Sequence, residues 1–254
     1  MGRGSFGRVK AWNDFTSGID AKVVPTGGDF LGGGVGIVGV NEGSLNLTGD
    51  ESGGVLAVTT DTGNDDNEVL VAGTFSPTDG KLQMEVRMKI VDSLATTRAA
   101  SFVGFTETLD MATPVMPAEI ATATLDFVGT GAVAGFVFDS DATDLVWRFV
   151  VGDENVVVAI EDAAGVVGAA IGIDAALTMT ADRWWIFRVE IDMAGIARGY
   201  VVDTADNDIF QLVGRNTVAL PTTVSYHAIA MIENRSGANE IMEVDYFYAE
   251  GGRD

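Results

Sequence analysis

The chain contains no cysteine and only one histidine, His227, among its 254 residues. Without cysteine there is no disulfide scaffold, no cysteine-ligated zinc site and no thiol nucleophile. The histidine lies in the apolar run Tyr226–Met231, and the sequence has no Gly-x-Ser-x-Gly motif to supply a nucleophile for it. We therefore expect a strand histidine with a satisfied hydrogen bond, and no catalytic residues.

Basic residues are also scarce, with 15 Lys and Arg against 37 Asp and Glu, so the net charge is −22. A surface of this sign repels phosphate backbones and anionic lipids, which argues against nucleic acid and membrane partners. The longest apolar stretch, 163–173, is interrupted by glycines and is much shorter than the roughly 20 residues of a membrane-spanning helix. No apolar segment follows the first residues, so the sequence predicts no secretory signal.

The N-terminus differs from the rest in charge, since its first residues include Arg3, Arg8 and Lys10 and no acid. We expect a basic, glycine-rich arm over residues 1–15 that binds a partner through these three side chains. Residues 16–254 show neither a clean repeat nor a linker, so they are expected to form a single domain.

Many segments of the chain alternate between apolar and polar residues. Lys81–Ile90 alternates without error, which is typical of a half-buried antiparallel strand with a solvated outer face. Turn-forming Gly, Asp and Asn residues separate many short runs, so we predict an all-β antiparallel sandwich or barrel. Little helix is expected beyond one helical turn over 175–182. The other strands are predicted near 35–40, 44–48, 54–59, 99–107, 123–128, 134–139, 145–151, 155–160, 185–191, 196–203, 207–213, 226–233 and 242–248.

Two predicted strands, Gly135–Phe138 and Val156–Ile160, are apolar on both faces. In an antiparallel sheet this composition indicates a strand that is covered on both sides. The outer cover is either a loop of the same chain or another subunit. The second case predicts a homo-oligomer, for which a trimer is the expected state.

Paired carboxylates are the remaining route to catalysis, because glycosidases need one acid and one nucleophile or base. Glu190–Asp192 resembles the opening of the Glu-x-Asp-x-x-Glu signature of jelly-roll glucanases, but Gly195 stands at its closing position. Glu243–Asp245 repeats the opening, and Tyr248 stands at the close. One carboxyl role is unfilled, so we interpret both segments as acids on a solvated strand face and expect no enzymatic activity.

Three loops rich in Asp and Asn offer oxygen ligands that calcium prefers: 61–67, 139–144 and 203–208. None has the spacing of an EF-hand, and the same residues are common in tight turns, so the sequence leaves open whether these loops hold calcium or only form turns. No other cofactor is expected. The calcium candidates are Asp61, Asp65, Asp66, Asp203, Asp206 and Asp208.

One hairpin has a recognisable family pattern. Asp182–Asp192 brings a tryptophan into a strand and leads through a short turn into Ile196–Asp203, which ends in an Asp-led turn. This resembles the central hairpin of concanavalin A-like (laminin-G-like) jelly rolls, and Val244–Tyr248 is similar to the last strand of that fold. The resemblance implies a sandwich of two antiparallel sheets.

A narrower resemblance joins Gly53–Thr60, Asp65–Asn67, Lys81–Ile90 and Phe102–Glu107, which together look like tailed-phage virion proteins that carry this jelly roll. It implies a non-enzymatic capsid decoration, or cement, protein. Such a protein binds the major capsid protein lattice on the outer surface of the virion, with its basic arm lying across neighbouring subunits. The alternative is a lectin-like carbohydrate-binding module, with or without calcium, that recognises glycans on a virion or cell surface.

Overall fold

The computed structural model describes residues 8–13, 30–32, 35–39, 43–48, 54–91, 98–110, 114–168, 172–204 and 209–252. None of the helices in these ranges is long and apolar enough to cross a membrane. The structure is dominated by strands, as the alternating sequence predicts. The strands are β1 (Arg8–Asn13), β2 (Phe30–Gly32), β3 (Val35–Gly39), β4 (Ser44–Thr48), β5 (Val55–Thr59), β6 (Asn67–Phe75), β7 (Leu82–Ile90), β8 (Ala99–Thr106), β9 (Ala118–Ala121), β10 (Thr124–Phe127), β11 (Val133–Asp139), β12 (Val146–Asp153), β13 (Val156–Val157), β14 (Ile160–Asp162), β15 (Ile173–Thr178), β16 (Trp185–Ile191), β17 (Ala197–Asp203), β18 (Gln211–Asn216), β19 (Tyr226–Asn234) and β20 (Ile241–Gly252).

These strands form two large antiparallel sheets and one small hairpin. Sheet 1 has the order β14-β18-β17-β16-β7-β20-β5-β4, and β1 also pairs with β20. Sheet 2 has the order β13-β12-β11-β8-β19-β6-β3-β2, and β15 also pairs with β12. The hairpin, which we call the cover hairpin, consists of β9 and β10. A 3-10 turn, Pro77–Asp79, links β6 to β7.

The main core lies between the two sheets, where the apolar faces of their alternating strands meet. Trp147 and Phe187 approach with ring centroids 4.6 Å apart, and Phe136 lies 5.0 Å from Phe187 and 5.3 Å from Phe149. Tilted aromatic contacts at these separations add to the free energy already gained by burying the rings. The antiparallel sandwich predicted from the sequence is confirmed.

The outer face of sheet 1 is polar and solvated, as the alternation of β7 predicts. Every second residue of β7 is fully buried, and the residues between them are only half-buried. Charged residues on this face pair with neighbouring strands. Lys81, just before β7, has its Nζ 3.0 Å from Glu190 Oε1, and Lys89 Nζ lies 2.9 Å from Glu243 Oε2. The side chain of Lys81 is 38% exposed, and an ion pair with a partner this exposed contributes about 0–1 kcal/mol to the free energy of folding.

The outer face of sheet 2 carries a second apolar cluster, which the cover hairpin buries. Phe127 of the hairpin packs on Gly152, where a Cβ atom would come within 2.4 Å of the phenyl ring. Phe102 of β8 fills the space beside Gly104 and Gly135 in the same way. The two-sided apolar composition of β11 is therefore explained by a cover from the same chain, and it requires no second subunit.

Several predicted elements differ from those observed. The helical turn expected over 175–182 is wrong, because residues 173–178 form β15 against β12. The strand predicted over 155–160 is broken into β13 and β14, and Val156 is 63% exposed rather than covered. Strand β6 is missing from the prediction, because its burial on both faces removes the alternation.

The part of the predicted basic arm that the structure describes is a strand. Residues 8–13 form β1, in which the backbone of Arg8 lies opposite Gly252 and that of Lys10 lies opposite Glu250. Arg3 lies outside the described residues. The division between an arm over 1–15 and a domain over 16–254 stays a prediction.

Candidate functional site

A row of polar residues crosses the outer face of sheet 2 at one end. Asp139 of β11 lies opposite Ala100 of β8, Ala100 lies opposite Glu233 of β19, and Glu233 lies opposite Asn67 of β6. All four side chains share one face of the sheet, because they occupy the same register row. The short side chain of Ala100 leaves room between the two acids that flank it.

The guanidinium of Arg235 fills this room. Its Nη2 donates a hydrogen bond to Asp139 Oδ2 at 3.0 Å, and its Nη1 lies 2.8 Å from Glu233 Oε1 in an ion pair. Two further carboxylates approach from outside: Asp65 Oδ1 lies 3.5 Å from Nη1, and Glu119 Oε1 lies 3.6 Å from Nη2. We call these five residues the Arg235 cluster.

The Arg235 cluster is closed on the sheet side and open on the loop side. The side chains of Arg235, Asp139 and Glu233 are 10%, 1% and 4% exposed. Those of Asp65 and Glu119 are 63% and 34% exposed. The cluster therefore has a rigid, desolvated base and presents two carboxylates to solvent.

Hydrogen bonds between side chains and main-chain groups hold the segments around the cluster together. Asn234, fully buried, donates through Nδ2 to the carbonyl oxygens of Asp61 and Gly63 at 3.1 and 3.0 Å. Its Oδ1 accepts from the amides of Ser236 and Gly237 at 2.8 and 3.0 Å. One asparagine thus joins the 61–66 loop to the turn after β19.

Asp139 makes the equivalent link to the cover hairpin. Its Oδ2 accepts from the Ile120 amide of β9 at 3.0 Å as well as from Arg235, and its Oδ1 accepts from the Asp141 amide at 3.0 Å. We call the assembled surface the rim: Glu119 together with the loops 61–66, 139–144 and 234–238.

Burial makes three acids of the cluster, Glu233, Glu119 and Asp139, hard to ionise. It raises the pKa of Glu233 to about 8; the charge of Arg235 opposes this shift, and the neighbouring carboxylates add to it. Burial likewise raises the pKa of Glu119 and that of Asp139 against the effect of Arg235. Burial alone would lower the pKa of Arg235, but the surrounding carboxylates, Glu233 above all, raise it. The guanidinium is therefore charged, and four acids share it.

The carboxylates of two calcium candidates, Asp65 and Asp203, form ion pairs with arginine. Asp65 belongs to the Arg235 cluster, and Asp61 contributes its carbonyl oxygen to Asn234. Asp203 Oδ1 accepts a hydrogen bond from Arg183 Nε at 2.8 Å, and Asp203 Oδ2 accepts a second one from Arg183 Nη2. Within the described residues no group of three or more His, Asp or Glu side chains is placed to hold a metal ion.

Two of the calcium candidates, Asp206 and Asp208, lie outside the described residues, so for them the calcium site stays a prediction.

Asp66 lies beside Gly63, where a Cβ atom would approach its carboxylate to 2.1 Å. Its main chain joins the 61–66 loop to β19, since its carbonyl oxygen accepts from the Asn234 amide at 2.8 Å.

The carboxylate pairs suggested by the glucanase-like segments do not face one another across a cleft. Glu190 pairs with Lys81, and Asp192 accepts from the amides of Ala194 and Ile196 at 2.9 and 3.0 Å. Asp192 therefore fixes the turn between β16 and β17. The second segment is used similarly, because Glu243 and Asp245 pair with Lys89 and Arg87 of β7.

His227 has the hydrogen-bonded strand position that the sequence predicts. It lies on β19, and its Nδ1 is 3.1 Å from Thr74 Oγ1. Burial lowers the pKa of His227, so the ring is neutral at pH 7.

Sequence reasoning pointed to the loops 61–67 and 139–144 but missed Arg235, Glu119 and Glu233. A signal was present in the sequence, because Glu233 and Arg235 interrupt the end of an otherwise apolar strand. Paired charges at the end of a buried strand indicate either an ion pair or a site.

Comparisons with known proteins identify the fold. No family model matches the sequence, and no curated protein matches it. A protein of unknown function, SO2946 from Shewanella oneidensis MR-1, matches with a TM-score of 0.57 at 10% identity, over 97% of this chain and 87% of that protein. Peanut lectin, solved with a nine-residue peptide, matches with a TM-score of 0.53 at 10% identity, over 96% of this chain and 97% of the lectin.

The exoplasmic/lumenal domain of VIP36, solved in a form bound to Ca2+ and mannose, matches with a TM-score of 0.50 at 11% identity. This match covers 85% of the chain and 82% of that domain. At such low identity these likenesses show the fold alone, which is the concanavalin A-like jelly roll predicted from the sequence.

Proposed function

We propose that this chain is a non-enzymatic carbohydrate-binding module that binds sugar at the rim. The observation that carries the proposal is the Arg235 cluster, whose buried base fixes two outward-facing carboxylates, Asp65 and Glu119. Sugar hydroxyl groups donate hydrogen bonds to carboxylates, and groups already held in place lose little conformational entropy on binding. The likeness in fold to peanut lectin and to the mannose-bound domain of VIP36 supports this proposal.

The other two faces of the sandwich are less suited to a sugar. The centre of the outer face of sheet 2 is filled by the cover hairpin. On the outer face of sheet 1 the polar groups already have partners, and Arg87 and Lys89 lie 4.5 and 4.8 Å from the centre of the Trp184 ring, where a sugar would stack. The rim, by contrast, presents Asn64 and Asp65 to solvent.

A glycan array followed by titration calorimetry tests the proposal. The double variant Asp65→Ala/Glu119→Ala should lose at least about tenfold in affinity for the glycan bound best, because each hydrogen bond to a charged group contributes about 1.5–3 kcal/mol. The matched control is Asp126→Ala/Glu161→Ala, which removes two acids outside the rim and should bind like the unaltered chain. Equal binding by both double variants, or binding of no glycan by the unaltered chain, would contradict the proposal.

The virion role expected from the sequence stays a prediction, together with the capsid partner, the trimer and the outer capsid location. None of the three structures compared above is named as a virion protein. Two observations that motivated this role have a structural explanation within one chain: the cover hairpin buries the apolar face of β11, and residues 8–13 pair within sheet 1. Detection of the protein at fixed stoichiometry on purified particles would support it.

A further inference from the structure

Calcium is the ion that the fold suggests, because the VIP36 domain was solved with Ca2+ and mannose. Calcium needs six to eight oxygen ligands at about 2.3–2.6 Å. The four carboxylates of the Arg235 cluster surround a guanidinium instead: Asp65 and Glu233 lie 3.5 and 2.8 Å from its Nη1, and Glu119 and Asp139 lie 3.6 and 3.0 Å from its Nη2. A metal ion could enter only if Arg235 left, so the residues of this cluster do not fit calcium.

We infer that Arg235 is the built-in cation of the rim, which orders the rim loops in place of a metal ion. Three segments meet at its guanidinium. The 61–66 loop provides Asp65, the cover hairpin provides Glu119, and sheet 2 provides Asp139 and Glu233. Because this cation is part of the chain, neither a chelator nor a low calcium concentration can remove it.

Geometry explains why an arginine suits this place. A planar guanidinium has five N–H donors in a fixed fork, so it can serve carboxylates from several directions at once. Its two short contacts run along the register row to Asp139 and Glu233, and its two longer contacts point outward to Asp65 and Glu119. Arg235 is therefore a positioning residue for the two carboxylates that would contact sugar.

Thermal unfolding with and without calcium tests the inference and needs no glycan. The melting temperature of the unaltered chain should be the same in EDTA and in millimolar CaCl2. Arg235→Met should lower it by about 10 °C in EDTA, since removing one partner leaves buried charges uncompensated. CaCl2 should restore part of that loss, because the exposed side chains of Asp65 and Glu119 can turn toward an ion beside Asp139 and Glu233 once the guanidinium is gone. Arg215→Met, which removes an exposed arginine paired with Glu161, should show neither effect.

Three outcomes would overturn the inference. The first is a calcium response of the unaltered chain that Asp65→Ala/Glu119→Ala abolishes. The second is an Arg235→Met variant as stable as the unaltered chain. The third is an Arg235→Met variant that is destabilised but unresponsive to calcium.

A second variant keeps the test valid if Arg235→Met does not fold. Arg235→Lys retains a cation in the cluster, so it should fold and should show no calcium response; a response would overturn the inference. The role of Arg235 in positioning the carboxylates for sugar rests on the proposed function, but the melting temperatures with and without calcium do not. If a glycan is found, its affinity should be unchanged in EDTA, whereas failure to find one would leave the calcium result standing.

Discussion

Ala100 is the residue that gives Arg235 its place. It lies in the register row between Asp139 and Glu233, and a longer side chain there would occupy the space of the guanidinium. Along this row the two acids, Asp139 and Glu233, therefore flank the short side chain of Ala100. Charge and space are matched within a single row of the sheet, which is why the guanidinium can be almost fully buried and still carry its charge.

Two buried glutamates should make the stability depend on pH. Burial raises the pKa of Glu233 to about 8 and that of Glu68 to about 7, from an ordinary value of 4.5. Such a group binds its proton more tightly in the folded chain, so its contribution to stability is complete below about pH 4.5 and is lost as the pH rises through the raised pKa. We expect the free energy of unfolding to fall from about pH 5 to 8, by at most about 1.4 kcal/mol per pH unit for each glutamate.

Urea titrations across this range measure the slope. Glu233→Gln and Glu68→Gln cannot titrate, so each should flatten the dependence. If the slope stayed the same in both buried variants, the buried glutamates would not be its source.

At the scale of elements, the cover hairpin decides which surface of sheet 2 a ligand can reach. It buries the apolar outer cluster through side chains such as Phe127 and Leu125, and it contributes Glu119 to the rim. Its backbone is tied to sheet 2 by the bond from the Ile120 amide to Asp139. The hairpin thus covers the centre of the face while completing the site at its edge.

Truncating Phe127 should loosen this hairpin. Phe127→Ala removes the ring that packs on Gly152, and we expect a loss of about 3 kcal/mol in the free energy of unfolding. Hydrogen exchange of the Ile120 amide should become faster, because the bond to Asp139 depends on the docked hairpin. Phe210→Ala is the matched control on the outer face of sheet 1, where the ring lies 3.7 Å from the guanidinium carbon of Arg188. Unchanged exchange at Ile120 in Phe127→Ala would show that the hairpin is held without this ring.

The whole molecule carries a net charge of −22, and its ion pairs are concentrated on sheet 1 and at the rim. Those pairs use many of the 15 basic residues, so most of the 37 acids repel one another across the rest of the surface. Self-repulsion of this kind destabilises a compact state and is screened by salt.

Salt should therefore stabilise the protein. We expect the melting temperature to rise by several degrees between about 0.01 and 0.5 M NaCl, where the Debye length falls from about 30 Å to below 10 Å. Calorimetry at constant pH checks this. A melting temperature that fell with salt would mean that the attractive pairs of sheet 1 and the rim outweigh the general repulsion.

Period-two alternation in the sequence is enough to predict the half-buried antiparallel strands, because this pattern suits a strand with one face in a core and the other in solvent. Lys81–Ile90 and the hairpin from Trp185 to Asp203 were predicted on this basis and are confirmed as β7, β16 and β17. The same signal fails for β6, which is buried on both faces and so does not alternate, and it is weak for β15, where two consecutive alanines, Ala175 and Ala176, blur the alternation.

The cover over β11 and the position of the polar site depend on contacts between segments that are far apart in the sequence. From the sequence, the outer face of β11 could have been covered by a loop or by a second subunit, because strand patterns do not show which distant segments pack together. Likewise, the five residues of the Arg235 cluster come from four separate segments, because only Glu233 and Arg235 are close in the sequence. Sheet register and hairpin docking bring the four carboxylates within 3.6 Å of the guanidinium, so the site is a property of strand pairing across the fold.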